Sequence, residues 1–214
     1  MILGPAARVA LYYAPESDDP LAAAAAEWYA AHPGFTEVAR GYGFHATLKP
    51  PMRLRAGCVW DDVLTAAHAI ADSVPPFDLP PLAVDVPHGF LALRETRPSP
   101  ALQGFADVCV AYADHLRAPP EPDELARRRR ASLSLAEAAN LARWGYPYVF
   151  ASWFFHMTLT RRLNAAEEAR LRPAAESHFA PALARPRRVA ALSLFVQPAP
   201  GEVFTAIERV ALRG

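Results

Sequence analysis

Apolar and polar positions along the chain alternate with two periods, and the switches between them mark out the elements. Ala7–Tyr13, rich in Val, Leu and Tyr, predicts a first strand. Asp18, Asp19 and Pro20 open a helix that runs to about Ala31, where His32-Pro33-Gly34 ends it. Gly43–Lys49 predicts a second strand, closed by Pro50-Pro51. Trp60–Ser73 has the spacing of an amphipathic helix and stops before Pro75-Pro76. Phe77–Arg94 carries Val84, Val86, Phe90 and Leu93 around a Pro87-His88-Gly89 turn and predicts a hairpin. Ser99 caps a helix to Leu116, and Ser134 with Glu137 makes a capping box for a short helix to Arg143, broken by Gly145 and Pro147. Aromatic and β-branched Tyr148–Thr160 predicts a strand. Asn164, with Glu167 three residues on, starts a helix to Ser177, and Val189–Val196 and Val203–Leu212 are two last strands.

Strands and helices interspersed, with hairpins as well as crossovers, predict an α+β fold with antiparallel sheet over a doubly wound parallel one. The 214 residues suit one large domain or two small lobes. Half of them are hydrophobic, which is globular composition. Lys+Arg and Asp+Glu balance at 22 each, and Lys49 is the only lysine. That balance argues against a protein tracking long nucleic acid, which needs clustered cations, and leaves a small anionic substrate open. The clustered exception is Pro119–Arg130, with four consecutive arginines, Arg127–Arg130: either a solvated helix face or connector, or an anion-binding patch. Cys58 and Cys109 are too few for a secreted disulfide scaffold and read as buried free thiols. Cys and His nowhere stand at metal-ligand spacing, so neither metal nor cofactor is expected. Without a signal-like start or a run of the ~20 apolar residues a membrane span needs, the expected location is cytoplasmic, with no membrane partner. There is no Gly-rich phosphate loop of the dinucleotide or Walker type. The sequence carries no signal for oligomeric state.

The informative feature is a repeat. Phe44-His45-Ala46-Thr47-Leu48 and Phe155-His156-Met157-Thr158-Leu159 share the pattern Phe-His-x-Thr-Leu in opposite halves of the chain. Residues two apart on a strand share a face, so His45 with Thr47, and His156 with Thr158, point away from their apolar neighbours. If the two strands face each other, two histidines and two threonines meet in one cleft. Imidazole titrates near pH ~6.5, so one histidine can activate water while the other protonates a leaving oxygen. The threonine hydroxyls can bond phosphoryl oxygens as charge develops. By the same parity Lys49 either binds a phosphate or is a surface lysine at a strand end, and Thr160 continues the His156–Thr158 face. Tyr42, Tyr146 and Tyr148 either stack on a base or sugar phosphate or belong to the core. His32, His68, His88, His115 and His178 have no repeat partner and read as structural or surface residues.

These strings resemble the 2H phosphoesterase superfamily, named for two His-x-Thr/Ser motifs. Tyr42–Pro51 and Gly145–Phe150, with Phe155–Thr160, are similar to the DUF1045 branch, which is associated with phosphonate metabolism. The resemblance implies a two-lobed fold over residues 1–214, with the first motif strand at 43–49 and the second at 148–160, around a central cleft. It implies a small phosphorylated substrate: a cyclic phosphodiester, with a cyclic ribose phosphate from phosphonate catabolism as the candidate. Two alternatives stay beside it: an RNA-end 2′,3′-cyclic phosphodiesterase or ligase, and a non-catalytic phosphate-ester binding protein. The family pattern has a basic residue near position 154, where Phe154 stands, and a glycine after Thr160, where Arg161 stands. Arg161 is the candidate to supply the missing charge, although strand parity puts it on the other face.

Overall fold

The helix starts foretold by polar caps are built as foretold. Asp19 accepts a hydrogen bond from Leu21 N–H, Ser99 from Leu102 N–H, and Ser134 and Asn164 each close a reciprocal capping box, with Glu137 and Glu167. The structure is a computed structural model that describes residues 1–129 and 132–214; Arg130 and the side chains of Arg127 and Arg129, in the run noted above, lie outside the described residues. In chain order the elements are β1 (Arg8–Tyr13), α1 (Pro20–Ala31), α2 (Pro33–Tyr42), β2 (Ala46–Met52), α3 (Trp60–Ser73), β3 (Phe77–Leu79), β4 (Leu82–Asp85) and β5 (Phe90–Glu95). There follow α4 (Pro100–Ala113), α5 (Pro122–Arg129), α6 (Leu135–Trp144), β6 (Met157–Arg162), α7 (Ala165–Leu183), β7 (Arg187–Val189), β8 (Ala191–Gln197) and β9 (Thr205–Ala211).

Seven strands form one sheet in the order β4-β5-β6-β2-β1-β8-β9, and every neighbouring pair is antiparallel. The short β3 and β7 pair separately. This is the expected α+β arrangement. The sheet has two halves that meet at β2 and β6. Helices α1 and α7 cover the β4–β6 half, and α3 and α4 cover β2, β8 and β9. The main core lies between helices and sheet, with Val9, Leu11, Leu48, Met157, Leu159 and Leu194 among its sheet residues. The opposite face carries only a small cluster, Ala10, Tyr12, Ala14, Phe195 and Phe204, and is otherwise open. Among the described residues no helix is long and apolar enough to cross a membrane, and no three His, Cys, Asp or Glu side chains stand close enough to hold a metal ion.

Three expectations about elements need correction. His32-Pro33-Gly34 does not end the helical region: Pro33 takes the first position of α2, where its missing N–H costs nothing. The first motif strand begins at Ala46 and not Gly43, and it continues through Pro50 and Pro51 to Met52. Prolines are tolerated there because β2 pairs with β6 only at Ala46↔Met157, so that side of the strand asks for no ladder donor further on. The second motif strand is six residues, Met157–Arg162, not the whole of 148–160. Ahead of it the backbone turns through Phe150, at φ 51°. Side chains satisfy that backbone in place of a ladder: Asn140 donates to the carbonyls of Pro147 and Val149, and Gln103 to that of Phe150. The aromatic pattern of this segment therefore serves cleft walls and not strand pairing.

Candidate active site

The two motifs meet back to back at the centre of the sheet. The one residue pair joining β2 to β6 is Ala46↔Met157, the middle residue of each His-x-Thr. Antiparallel geometry about that pair sets His45 across from Thr158 and Thr47 across from His156, a local two-fold. The apolar residues Ala46, Leu48, Met157 and Leu159 are buried on the helix side. All four motif side chains line one cleft on the open face, with a volume of about 580 Å³. Its walls come from α2 (Val38, Ala39, Tyr42), from α5 (Arg128) and from Tyr146.

The histidines are held in the same way. His45 Nδ1 lies 2.9 Å from the carbonyl of Gly43, and His156 Nδ1 lies 3.1 Å from the carbonyl of Phe154, each two residues upstream. A carbonyl only accepts, so Nδ1 carries the proton in both rings and Nε2 is the free base of the neutral form. His45 Nε2 is 3.2 Å from Thr47 Oγ1, whose hydroxyl donates to it. Tyr12 lies flat on His45, and Phe154 on His156, with ring centroids 3.6 and 4.6 Å apart. Burial pushes His45 down to about 4; the Gly43 carbonyl opposes that shift, and the charge of His156 adds to it. His156 is lowered too, by burial first, against the pull of the Phe154 carbonyl, and then by Arg94 and His88. Arg94 packs on Phe154, 5.2 Å from the ring centre, so a neighbouring strand brings a cation close to the position where a basic residue was expected.

Beyond His156 the cleft continues into an aromatic cavity of about 220 Å³ walled by Phe90, Tyr146, Tyr148, Trp153 and Phe154, with His88 at its edge. Trp153 Nε1 donates to the carbonyl of Thr47 at 2.8 Å and ties this segment to the first motif strand. Trp28 and Tyr29 of α1 do the same for the second, donating to the carbonyls of Leu159 and Thr158.

Of the secondary candidates, Tyr42 and Tyr146 line the main cleft, and Tyr146 and Tyr148 the aromatic cavity. Lys49 does not reach the cleft floor. β1 pairs Tyr12 with Thr47 and Leu11 with Lys49, so Leu48 is an extra residue, a bulge that reverses the parity on which the expectation rested. Lys49 turns inward, 2 % exposed, to the carbonyl of Val110 and the carboxylate of Asp114. Thr160 lines the cleft, yet its Oγ1 accepts from Leu91 N–H at 3.0 Å and fills a ladder gap where β5 and β6 slip register. Arg161 stands at the cleft edge, committed to Glu167 and to the carbonyl of Gly34. Sequence reasoning missed Arg8, Tyr12, Arg128, Arg162 and His88. For Arg8 and Tyr12 a signal existed: they alternate with core-facing Val9, Leu11 and Tyr13. Arg128 lay in the arginine run, and Arg162 and His88 had no distinguishing pattern.

Comparison with known proteins bears on the family and the fold. The family described as "Protein of unknown function (DUF1045)" matches residues 47–205. Two relatives are each named ribose 1,5-bisphosphate phosphokinase PhnN. The one from Janthinobacterium sp. (strain Marseille) is 38% identical over 231 residues, covering 97% of this chain and 51% of its own length. The one from Laribacter hongkongensis (strain HLHK9) is 34% identical over 177 residues, covering 83% of this chain and 41% of its own length. The chain thus spans about half the length of the curated relatives it matches. Among solved structures, E. coli LigT complexed with 3′-AMP superposes with a TM-score of 0.50 at 16% identity, over 98% of this chain and 99% of that one. TT0787 of Thermus thermophilus gives 0.50 at 18% identity, over 97% and 98%.

Proposed function

The chain belongs to the DUF1045 family and has the LigT-like fold of the 2H phosphoesterases, and from that footing we propose that it is a metal-independent phosphoesterase opening a small cyclic phosphodiester. One observation carries the reading. Two histidines related by a local two-fold each spend Nδ1–H on a carbonyl and keep Nε2 for the cleft they share with two threonine hydroxyls. One Nε2 takes a proton from water as its oxygen bonds to phosphorus. The other, entering as imidazolium, gives its proton to the sugar oxygen as the ring P–O bond breaks. Thr47 and Thr158 bond the non-bridging oxygens while negative charge gathers on them. The product is an acyclic phosphomonoester.

The relatives' names point to ribose phosphates. A kinase of that kind needs a nucleotide phosphate site, and this chain has no Walker-type loop and matches only about half of those proteins. The chain's own chemistry is therefore a separate step on the same class of compound, and a cyclic ribose phosphate of phosphonate catabolism suits it. The aromatic cavity beside His156 favours a second reading, a nucleoside 2′,3′-cyclic phosphate with its base stacked there.

Phosphorus NMR with chelator present tests both. Wild type, His45→Ala and His156→Ala are each incubated with ribose 1,2-cyclic phosphate 5-phosphate and with 2′,3′-cyclic nucleotides. Ring opening that both variants lose is the expected result, and the faster compound chooses between the readings. Binding without turnover of any compound would replace the hydrolase reading with that of a phosphate-ester binding protein.

A further inference from the structure

Arg8 is the unexplained cation of the cleft. Its Nε donates to Gln197 Oε1 at 2.7 Å, and Gln197 is itself buried and fixed by donating from Nε2 to the carbonyl of Glu202 at 2.6 Å. The guanidinium lies over Phe204, 5.4 Å from the ring centre, and Phe204 is stacked in turn on Tyr42. The partners that hold Arg8 are thus a neutral amide and an aromatic ring. Among the described residues no carboxylate stands within salt-bridge distance of it, whereas the cleft-lining Arg128 and Arg161 each have one. An arginine oriented at one nitrogen and left uncompensated at the others offers a pre-set fork to an anion.

Its position gives the anion a role. Arg8 and Tyr12 share the cleft face of β1, with only the small Ala10 between them. Four residues of strand separate them by roughly 13 Å. Tyr12 marks the phosphoester end, because it lies on His45. At the Arg8 end Pro50 and Pro51 bound the cleft, and Arg128 enters from α5 with its guanidinium 4.8 Å from the centre of the Tyr146 ring. The Phe204 ring bridges the two ends, its centre 5.4 Å from the Arg8 guanidinium and 6.3 Å from the centre of the Tyr12 ring, a separation that suits one sugar ring with a phosphate at either side. Arg162, the other cleft cation without a carboxylate partner among the described residues, is exposed, and no hydrogen bond fixes its direction.

We propose that Arg8 forms a second anion subsite that binds a phosphomonoester on the substrate while the two His-x-Thr strands hold the cyclic phosphate. This inference rests on the cyclic phosphodiesterase reading and narrows it: the preferred substrate is a cyclic sugar phosphate carrying a separate terminal phosphate, not a bare cyclic nucleotide.

The test compares ribose 1,2-cyclic phosphate with and without a 5-phosphate, by calorimetric binding to the full chain in the His156→Ala background and by turnover in the otherwise wild-type chain. The terminal phosphate is expected to improve affinity and kcat/KM by roughly 10- to 100-fold, the range of a charge-assisted hydrogen bond or two. Arg8→Gln should erase most of that ratio and Arg8→Lys only part of it. Arg172→Ala, which removes an arginine from the exposed face of α7, should leave the ratio intact. Thermal melts confirm that each variant folds. Equal affinity for the two compounds, or a ratio that survives Arg8→Gln, overturns the subsite even if both are hydrolysed. A ratio lost in Arg8→Gln by calorimetry, without turnover of either compound, sustains the subsite and sinks the hydrolase reading instead.

Discussion

Tyr12 lies flat against His45, with ring centroids 3.6 Å apart and planes 12° from parallel. Tyr12 is fully buried and packs at a tilt against Phe195 and Phe204, so it is a fixed wall from which the histidine cannot tilt away. The Gly43 carbonyl fixes the ring in its own plane. Together these contacts aim Nε2 without a carboxylate behind the imidazole.

Replacing the wall should separate stacking from hydroxyl chemistry. Tyr12→Phe keeps the ring and is expected to retain fold and turnover. Tyr12→Ala opens a cavity and should cost about 3 kcal/mol of stability, as for other buried aromatics. It should lower kcat more than it raises KM, because a loosened base is lost to the transition state more than to binding. Denaturant melts and steady-state kinetics on the same preparations check both parts. A Tyr12→Phe variant as impaired as Tyr12→Ala would show that the hydroxyl, not the stack, matters.

Lys49 tests the consequence of the bulge at Leu48. Burial pushes its ammonium down to about 8 against the pull of Asp114. Asp114 also holds Arg117 and Arg143, so it is not stranded when Lys49 is removed. Lys49→Met should therefore leave KM for the phosphoester within about twofold and change stability by only ~1 kcal/mol, as expected of an isosteric replacement of one buried partner whose counter-ion stays paired. Asp114→Ala strands Lys49 in the interior and should cost on the order of 3 kcal/mol or more. A large rise in KM for Lys49→Met would return the lysine to the cleft.

What the sequence disclosed and what it concealed follow from the range of the forces involved. Caps are local, so Ser99, Ser134 and Asn164 marked their helices correctly. Alternation is local too, and Ala46 and Leu48 against His45 and Thr47 told which face holds the motif. Failures arose where a partner strand decides. Nothing near Leu48 signals a bulge, since the extra residue exists only relative to β1. Trp153 and Gln103 override the strand preference of 148–156 through bonds between residues far apart along the chain, and Asn140 adds bonds from the helix just before it. Alternation with Val9 and Leu11 gave the face of Arg8 but not its role, which comes from Gln197, at the other end of the sequence.

The threonines should behave as transition-state donors. Thr47→Val and Thr158→Val remove one hydroxyl each at nearly constant shape. Each is expected to lower kcat by about 100-fold, the scale for loss of one donor to a developing oxyanion, with KM little altered. Thr160→Val is the contrast: its Oγ1 serves Leu91 N–H, so its loss should appear in stability, by ~1 kcal/mol, and not in kcat. Equal kinetic defects in all three would remove the distinction between the motif threonines and their neighbour.

The pH profile brings the two histidines together. Burial lowers both, His45 to about 4 and His156 in the same direction. In the free enzyme the base must be neutral and the acid charged, so kcat/KM should rise as pH climbs through the lower macroscopic value and fall as it passes the upper one. With both groups depressed, the descending limb lies below the ordinary imidazole value of about 6.5. His45, the deeper of the two and the one that accepts from Thr47, is the base in this scheme, and His156 the acid. Stability carries the same sign. A group whose folded value is depressed contributes fully above its unfolded value, and that contribution is lost as pH falls from about 6.5 toward 4. His45→Asn should shrink the pH dependence of the melting temperature across that window, leaving the share that His156 contributes, while abolishing turnover, and Arg94→Met should move the descending limb upward by releasing His156 from a neighbouring charge. A descending limb above pH ~7 in the free enzyme, or one that ignores Arg94→Met, would reverse or dissolve the acid–base assignment.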